Sequence, residues 1–270
     1  WISRWCGRDT DLFFVFIKYI HVLYADYLPQ EVEKTRRILA PGLLPIHAQL
    51  LVVLEETLYK QSVPQVSENP HAAAAITFDD FIEGADASVP ALPFGSANSH
   101  RSIAENRLVI LLRDLLSETS VEPSSARLLY AESFCTVLKA AVRRTSVFDH
   151  SACFLLCDFA EEAIPIVARY SKSTGREIFD WNFWLDVCRQ MLQSHNSLTE
   201  VRAFSFLFNI WNTWVASEER KANLCLGLLL HEPFFYQYFN HWSPMVRAYF
   251  HRLLCWRMGR YNGEPSSLDS

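Results

Sequence analysis

Between Arg101 and Arg260 the apolar residues return with a helical period in one segment after another, and no stretch of useful length alternates in the manner of a strand. That pattern points to an all-α fold, because successive amphipathic helices bury their apolar stripes against one another. The segments Arg101–Ser117, Ser125–Arg144, His150–Tyr170, Trp181–Ser194, Leu198–Ala216, Glu218–Phe239 and Pro244–Arg260 each read as a helix. Only 8 glycines are spread over 270 residues, so tight turns and phosphate-cradling loops have few places to form. A multi-helical array follows, either an armadillo- or HEAT-like α-solenoid or an irregular helical bundle. No repeat of fixed period selects between the two.

Helix ends are marked in the sequence. Asp180 stands where it can cap a helix opening at Trp181, and Ser243-Pro244 combines an N-cap hydroxyl with a proline at the first helical position. Ser197-Leu-Thr-Glu200 has the spacing of a capping box. Gly259 and Gly263 flank the end of the last helix. Residues 62–102 carry Pro64, Pro70, Pro90 and Pro93 with an alanine run at Ala72–Ala75, the composition of a linker or long loop with a short helix around Phe78–Ile82. The organisation expected is a helical segment over 1–61, the linker over 62–102, a main helical domain over 103–261 and a polar tail over 262–270. The chain starts at Trp1 with no initiator Met, as a piece of a longer protein would.

Two helices are expected before the linker, Asp11–Leu28 and Leu43–Tyr59. The first is apolar nearly all round, with Asp11, Lys18 and His21 as a thin polar stripe. Lys18 and His21 sit mid-helix, where a membrane centre charges about 2.5–3.5 kcal/mol for a lysine, so a core helix is expected over a span.

The seven cysteines, Cys6, Cys135, Cys153, Cys157, Cys188, Cys225 and Cys255, are odd in number and lie mostly in apolar helical runs, which suits reduced core thiols in a cytoplasmic protein. A net charge of −5 argues against a general nucleic-acid binder. Familiar enzyme motifs are missing, and no cofactor is implied. His150, Cys153 and Cys157 share one helix face, but zinc needs a further ligand set, so buried thiols are the reading preferred. Asp158, Glu161 and Glu162 read as a solvated acidic face.

Within Leu198–Val215 a polar line, Arg202, Ser205, Asn209 and Asn212, runs opposite a broad apolar arc. Such a line can grip a partner's backbone, or it can be a solvent face or a polar seam between helices. Arg247, Arg252, Arg257 and Arg260 on the last helix cannot form one stripe, since steps of five residues rotate by roughly 140°. They suit an internal arginine network or a contact with lipid headgroups.

The stretch Ser197-Leu-Thr-Glu-Val-Arg-Ala-Phe-Ser-Phe-Leu-Phe-Asn-Ile-Trp211, with Phe239-Asn-His-Trp-Ser-Pro-Met-Val-Arg-Ala-Tyr-Phe-His-Arg-Leu-Leu-Cys-Trp-Arg257, resembles a family of large fungal and amoebal proteins defined by domain of unknown function 1765. The resemblance is strongest over residues 181–261, and some members are described as membrane proteins. It implies no catalytic residue. The function expected is therefore a non-enzymatic scaffold or adaptor acting on a protein partner, with oligomeric state left open. Two alternatives stand beside it: a peripheral domain meeting an anionic membrane surface, and an enzyme built around His150, Asp158 and Glu161 or around His241 and His251.

Overall fold

A computed structural model of the chain describes residues 11–29, 32–62, 103–117 and 123–259. All but Ser62 of the linker expected over 62–102, the tail, Cys6, Arg260 and Gly263 lie outside these residues. Among the described residues every regular element is helical, and the chain is an all-α multi-helical array. In order the helices are α1 (Asp11–Tyr27), α2 (Lys34–Arg37), α3 (Leu43–Ser62), α4 (Arg107–Leu116), α5 (Ser124–Arg144), α6 (His150–Thr174), α7 (Trp181–Leu192), α8 (Ser197–Trp214), α9 (Glu218–Leu224), α10 (Glu232–Phe239) and α11 (Pro244–Leu253).

Helices two apart in sequence tend to be neighbours in space. The long helix α6 packs against α4 on one side and α8 on the other, and α8 passes the contact on to α11. A second row is formed by α1 and α3 against α5, while α7 packs on α8. One core runs through both rows, from Phe13 and Ile17 of α1 to Phe250 and Leu253 of α11. Aromatic rings fill its C-terminal half. Trp184 stacks on Phe179 at 5.6 Å, and Phe204 meets the edge of Tyr238 at 5.1 Å. Burying such rings removes large apolar surfaces from water, about 150–250 Å² each, which is the main favourable contribution to this fold.

The capping signals hold in part. Asp180 accepts from the Phe183 N–H at 3.1 Å, and Ser243 is the N-cap before Pro244, although its hydroxyl makes no capping bond. The capping box is displaced by one residue. Asn196 is the N-cap of α8, accepting from the Leu198 and Thr199 N–H groups, and Glu200 turns into the core instead of reaching back. Gly259 has an ordinary helical φ of −83°, and the left-handed C-cap is Gly175, at φ 66° after α6.

The single helix expected over Glu218–Phe239 is broken. Cys225–Leu229 is π-helical, with the Leu230 N–H reaching back five residues to the Cys225 carbonyl at 2.7 Å. His231 is extended and Pro233 stands in the first turn of α10, where its missing N–H costs nothing. A second π segment, Leu254–Met258, ends the last helix through a matching bond from Gly259 to Leu254.

Candidate functional site

The caps at Asp149 and Asn196 set the starts of α6 and α8. These two helices run side by side, and the polar line predicted on α8 faces partly into their seam. Arg202 is 2% exposed. Its guanidinium lies 2.5 Å from Asp158 Oδ1 and 2.7 Å from Glu161 Oε1, both on α6, and stands 5.6 Å from the ring centre of Phe154. Asn209 donates to Glu161 Oε2 at 3.0 Å. Ser205 is also buried, whereas Asn209 and Asn212 are exposed. The predicted line is therefore divided between a buried seam and the surface.

Burial works against the charge on Arg202, and the anionic groups around it outweigh burial, so its proton is held more firmly than usual. Burial pushes the Glu161 carboxyl upward, against the pull of Arg202 and Asn209. Asp158 and Glu161 are thus not the solvated face that their sequence suggests. They are the partners without which Arg202 would be an uncompensated buried charge. Asp158, named above in an alternative enzyme site with His150 and Glu161, is committed to this pair.

A second buried network lies on the other side of α8. The Tyr238 hydroxyl donates to the Leu192 carbonyl, and Glu200 Oε1 lies 3.4 Å from the same hydroxyl. His241 Nε2 is 3.5 Å from Glu200 Oε2, and its Nδ1 accepts from the Ser243 N–H at 3.2 Å. Burial pushes Glu200 up and His241 down, so both groups move toward their neutral forms. The network joins α7, α8 and α10 to the turn before α11, tying the C-terminal helices together.

The arginines of the last helix do separate things. Arg247 donates to the His241 carbonyl at 2.6 Å, Arg257 lies over the Phe208 ring at 4.2 Å, and Arg252 is exposed. His251 sits against Phe239, with ring centres 4.6 Å apart. Among the described residues no group of acidic, histidine and cysteine side chains is arranged to hold a metal ion. Cys153 and Cys157 are buried, and burial raises the Cys153 thiol to about 11 and Cys188 to about 12. Cys255 departs from the expected core thiols, being exposed.

The N-terminal helix corrects the sequence reading most plainly. His21, placed on a polar stripe above, is 1% exposed and packs edge-on against Tyr130 at 5.1 Å. The exposed face of α1 is instead largely apolar, with Asp26 the charged residue among it near the C-terminal end. Leu12, Val15, Tyr19, Leu23 and Tyr27 are exposed, from 44% for Leu12 to 83% for Tyr27. At 100° per residue these five fall within an arc of about 120°, opposite the buried face of Phe13, Ile17 and His21. Large apolar side chains are also exposed at the other end of the array, among them Trp242 at 75% and Trp256 at 64%. Spacing alone gives the α1 arc, but which of two apolar faces meets the core depends on α5, a hundred residues later.

Residues 134–258 match the profile of a family described as protein of unknown function (DUF1765), so the resemblance seen in the C-terminal sequence holds. Over 260 residues the chain is 26% identical to a UPF0592 membrane protein of Schizosaccharomyces pombe, a match covering 95% of this chain and 28% of that protein. The chain thus spans little more than a quarter of the length of that relative. No solved structure matches it. Among the described residues no helix is long and apolar enough to cross a membrane.

Proposed function

We propose that the chain is a non-enzymatic helical scaffold module that works through protein–protein contact, with the outer face of α1 as its contact surface. One observation carries this reading: Leu12, Val15, Tyr19, Leu23 and Tyr27 form an exposed, largely apolar arc along the helix, with Asp26 as the charge beside its C-terminal end. Scattered surface leucines are ordinary, but an aligned apolar stripe on a helix is the form that helix–helix and helix-in-groove recognition uses. Its aromatic members suit it further, since tyrosine contributes large contact area at small entropic cost. The opposite face of α1 is fixed in the core by Phe13 and Ile17, so the stripe is presented on a rigid support.

A test compares the chain with a Tyr19→Glu/Leu23→Glu variant, both checked for equal helicity, in capture from Schizosaccharomyces pombe lysate. A protein retained by the first and lost by the second supports the reading. Equal retention by both removes α1 from the contact surface. A second reading, peripheral attachment of the same stripe to a membrane, is favoured by the name of the relative. Flotation with anionic vesicles that is lost in the same variant would replace the scaffold reading with that one.

A further inference from the structure

The C-terminal end of α1, the start of α5 and the end of α6 surround an open cavity of about 520 Å³. Three arginines line it from three separate parts of the chain: Arg37 on α2, Arg127 on α5 and Arg176 just beyond α6. Among the described residues one carboxylate answers them, Glu132, which holds Arg37 at 2.9 Å. Among the described residues Arg127 makes a long contact with the Ser117 carbonyl, at 3.4 Å. The Nε atoms of Arg37 and Arg127 and the hydroxyl of Ser125 are buried with no hydrogen-bond partner among the described residues. Buried donors left unanswered are uncommon, and here several gather around one hollow. Glu177, the acidic residue beside Arg176, is turned away to accept from the Trp181 indole at 2.7 Å.

The backbone adds to the same charge. Helix α5 is 21 residues long and begins behind Pro123, whose ring makes no capping bond, so its first turn, with the Ala126 N–H turned back to the Pro123 carbonyl, brings Ser124, Ser125 and the positive end of the helix dipole to the cavity wall. The competing carbonyls at the end of α6 are partly covered, since the Ser173 and Thr174 hydroxyls both donate to the Tyr170 carbonyl. Gly175, in its left-handed conformation, then turns Arg176 to the cavity. Tyr170, near the end of α6, lines the same cavity as Arg127 and Arg176.

We propose that this cavity binds a phosphate monoester, held by Arg37, Arg127 and Arg176 at the N-terminus of α5. Guanidinium groups grip phosphate oxygens in pairs, and the positive end of a helix adds to their attraction. The volume exceeds that of a lone phosphate and suits a phosphate-bearing small molecule or headgroup. The same chemistry serves a soluble phosphate ester and the headgroup of a phosphorylated lipid.

Titration calorimetry of the chain with inositol 1,4,5-trisphosphate at fixed ionic strength tests the binding. Phosphatidylcholine vesicles, with and without a phosphatidylinositol phosphate, test the lipid source. Saturable binding is expected, weakened about tenfold or more by Arg127→Gln and by Arg176→Gln, with Arg127→Lys retaining part of it. Arg176 is exposed, so its replacement keeps the test valid even where Arg127→Gln fails to fold. Arg169→Gln removes an equal charge from the exposed side of α6 and is expected to leave affinity unchanged. Binding of the soluble probe without binding to the phosphorylated vesicles assigns the site to a free ester, and binding to the phosphorylated vesicles assigns it to a headgroup. No binding of either probe overturns the proposal, as does an equal loss in the Arg169 variant.

Discussion

The seam between α6 and α8 and the seam between α1 and α5 bury polar groups in opposite ways. At the first, a full positive charge lies in the core with two carboxylates gathered on it, one of them also held by an asparagine. At the second, the polar groups are neutral and loosely satisfied. His21 Nδ1 bonds the Ile17 carbonyl at 2.7 Å, while its Nε2 and the Tyr130 hydroxyl have no hydrogen-bond partner among the described residues. An arginine cannot shed its proton, so its burial requires counter-charges. A histidine can, and burial lowers the pKa of His21 from 6.5 to about 4. The C-terminal seam therefore depends on pairing, and the N-terminal seam depends on pH.

The largest effect should come from breaking the pair. Arg202→Met leaves Asp158 and Glu161 buried without their cation, and a loss of about 3–5 kcal/mol in urea unfolding is expected. Replacing all three together, as Arg202→Met/Asp158→Asn/Glu161→Gln, should recover much of that loss, since no buried charge is then stranded. A single variant costing less than about 1 kcal/mol would mean that water reaches the seam, and the contrast with α1 would weaken.

The second test is the pH dependence of the α1 seam. The folded-state pKa of His21 lies below its unfolded value, so the unfolded chain binds the extra proton. The contribution of His21 is fully present above about pH 6.5 and is lost as pH falls toward 4, by about 3 kcal/mol in all. His241, also lowered, acts in the same sense, whereas Glu161 and Glu200, raised by burial, act in the opposite one. The His21 share is isolated by subtracting the unfolding curves of a His21→Phe variant, which keeps a ring against Tyr130. A difference that stays flat between pH 7 and 4 would show His21 to be hydrated and would erase the distinction between the seams.

Much of the array was legible locally. The apolar period located α5, α6, α7 and α8 to within a few residues, and Asp180 marked its own helix. What escaped depends on partners distant in sequence. Arg202 looked like part of a polar line because Asp158, its counter-charge, lies 44 residues earlier on another helix. Glu200 had the spacing of a cap, but Tyr238 and His241 draw it inward, and Asn196, one position earlier than the predicted cap, takes the role. The break after Cys225 was hidden because the apolar pattern runs through the π segment, although Pro233 was a visible warning. The arginines of the α1–α5–α6 cavity gave no local signal, since Arg37, Arg127 and Arg176 converge only through the packing of three helices.

The smallest expected effect is at Tyr130, and it bears most directly on how the N-terminal seam is built. Its hydroxyl lies in the core beside His21, desolvated and with no hydrogen-bond partner among the described residues. Removing a buried group that makes no bond relieves a desolvation cost and gives up no interaction, so Tyr130→Phe should be neutral or stabilising by up to about 1 kcal/mol. The ring contacts with His21 and Phe134 survive the change. A loss above about 1 kcal/mol would mean that the hydroxyl is bonded after all, through His21 Nε2 or an enclosed water. The Tyr130→Phe/His21→Phe double variant separates those two cases. Coupling between the substitutions would join the two residues into one buried network, and the α1 seam would then resemble the paired seam at α8. Additive effects would leave the hydroxyl isolated and support the view that the α1 seam tolerates His21 and Tyr130 in its core because both are neutral.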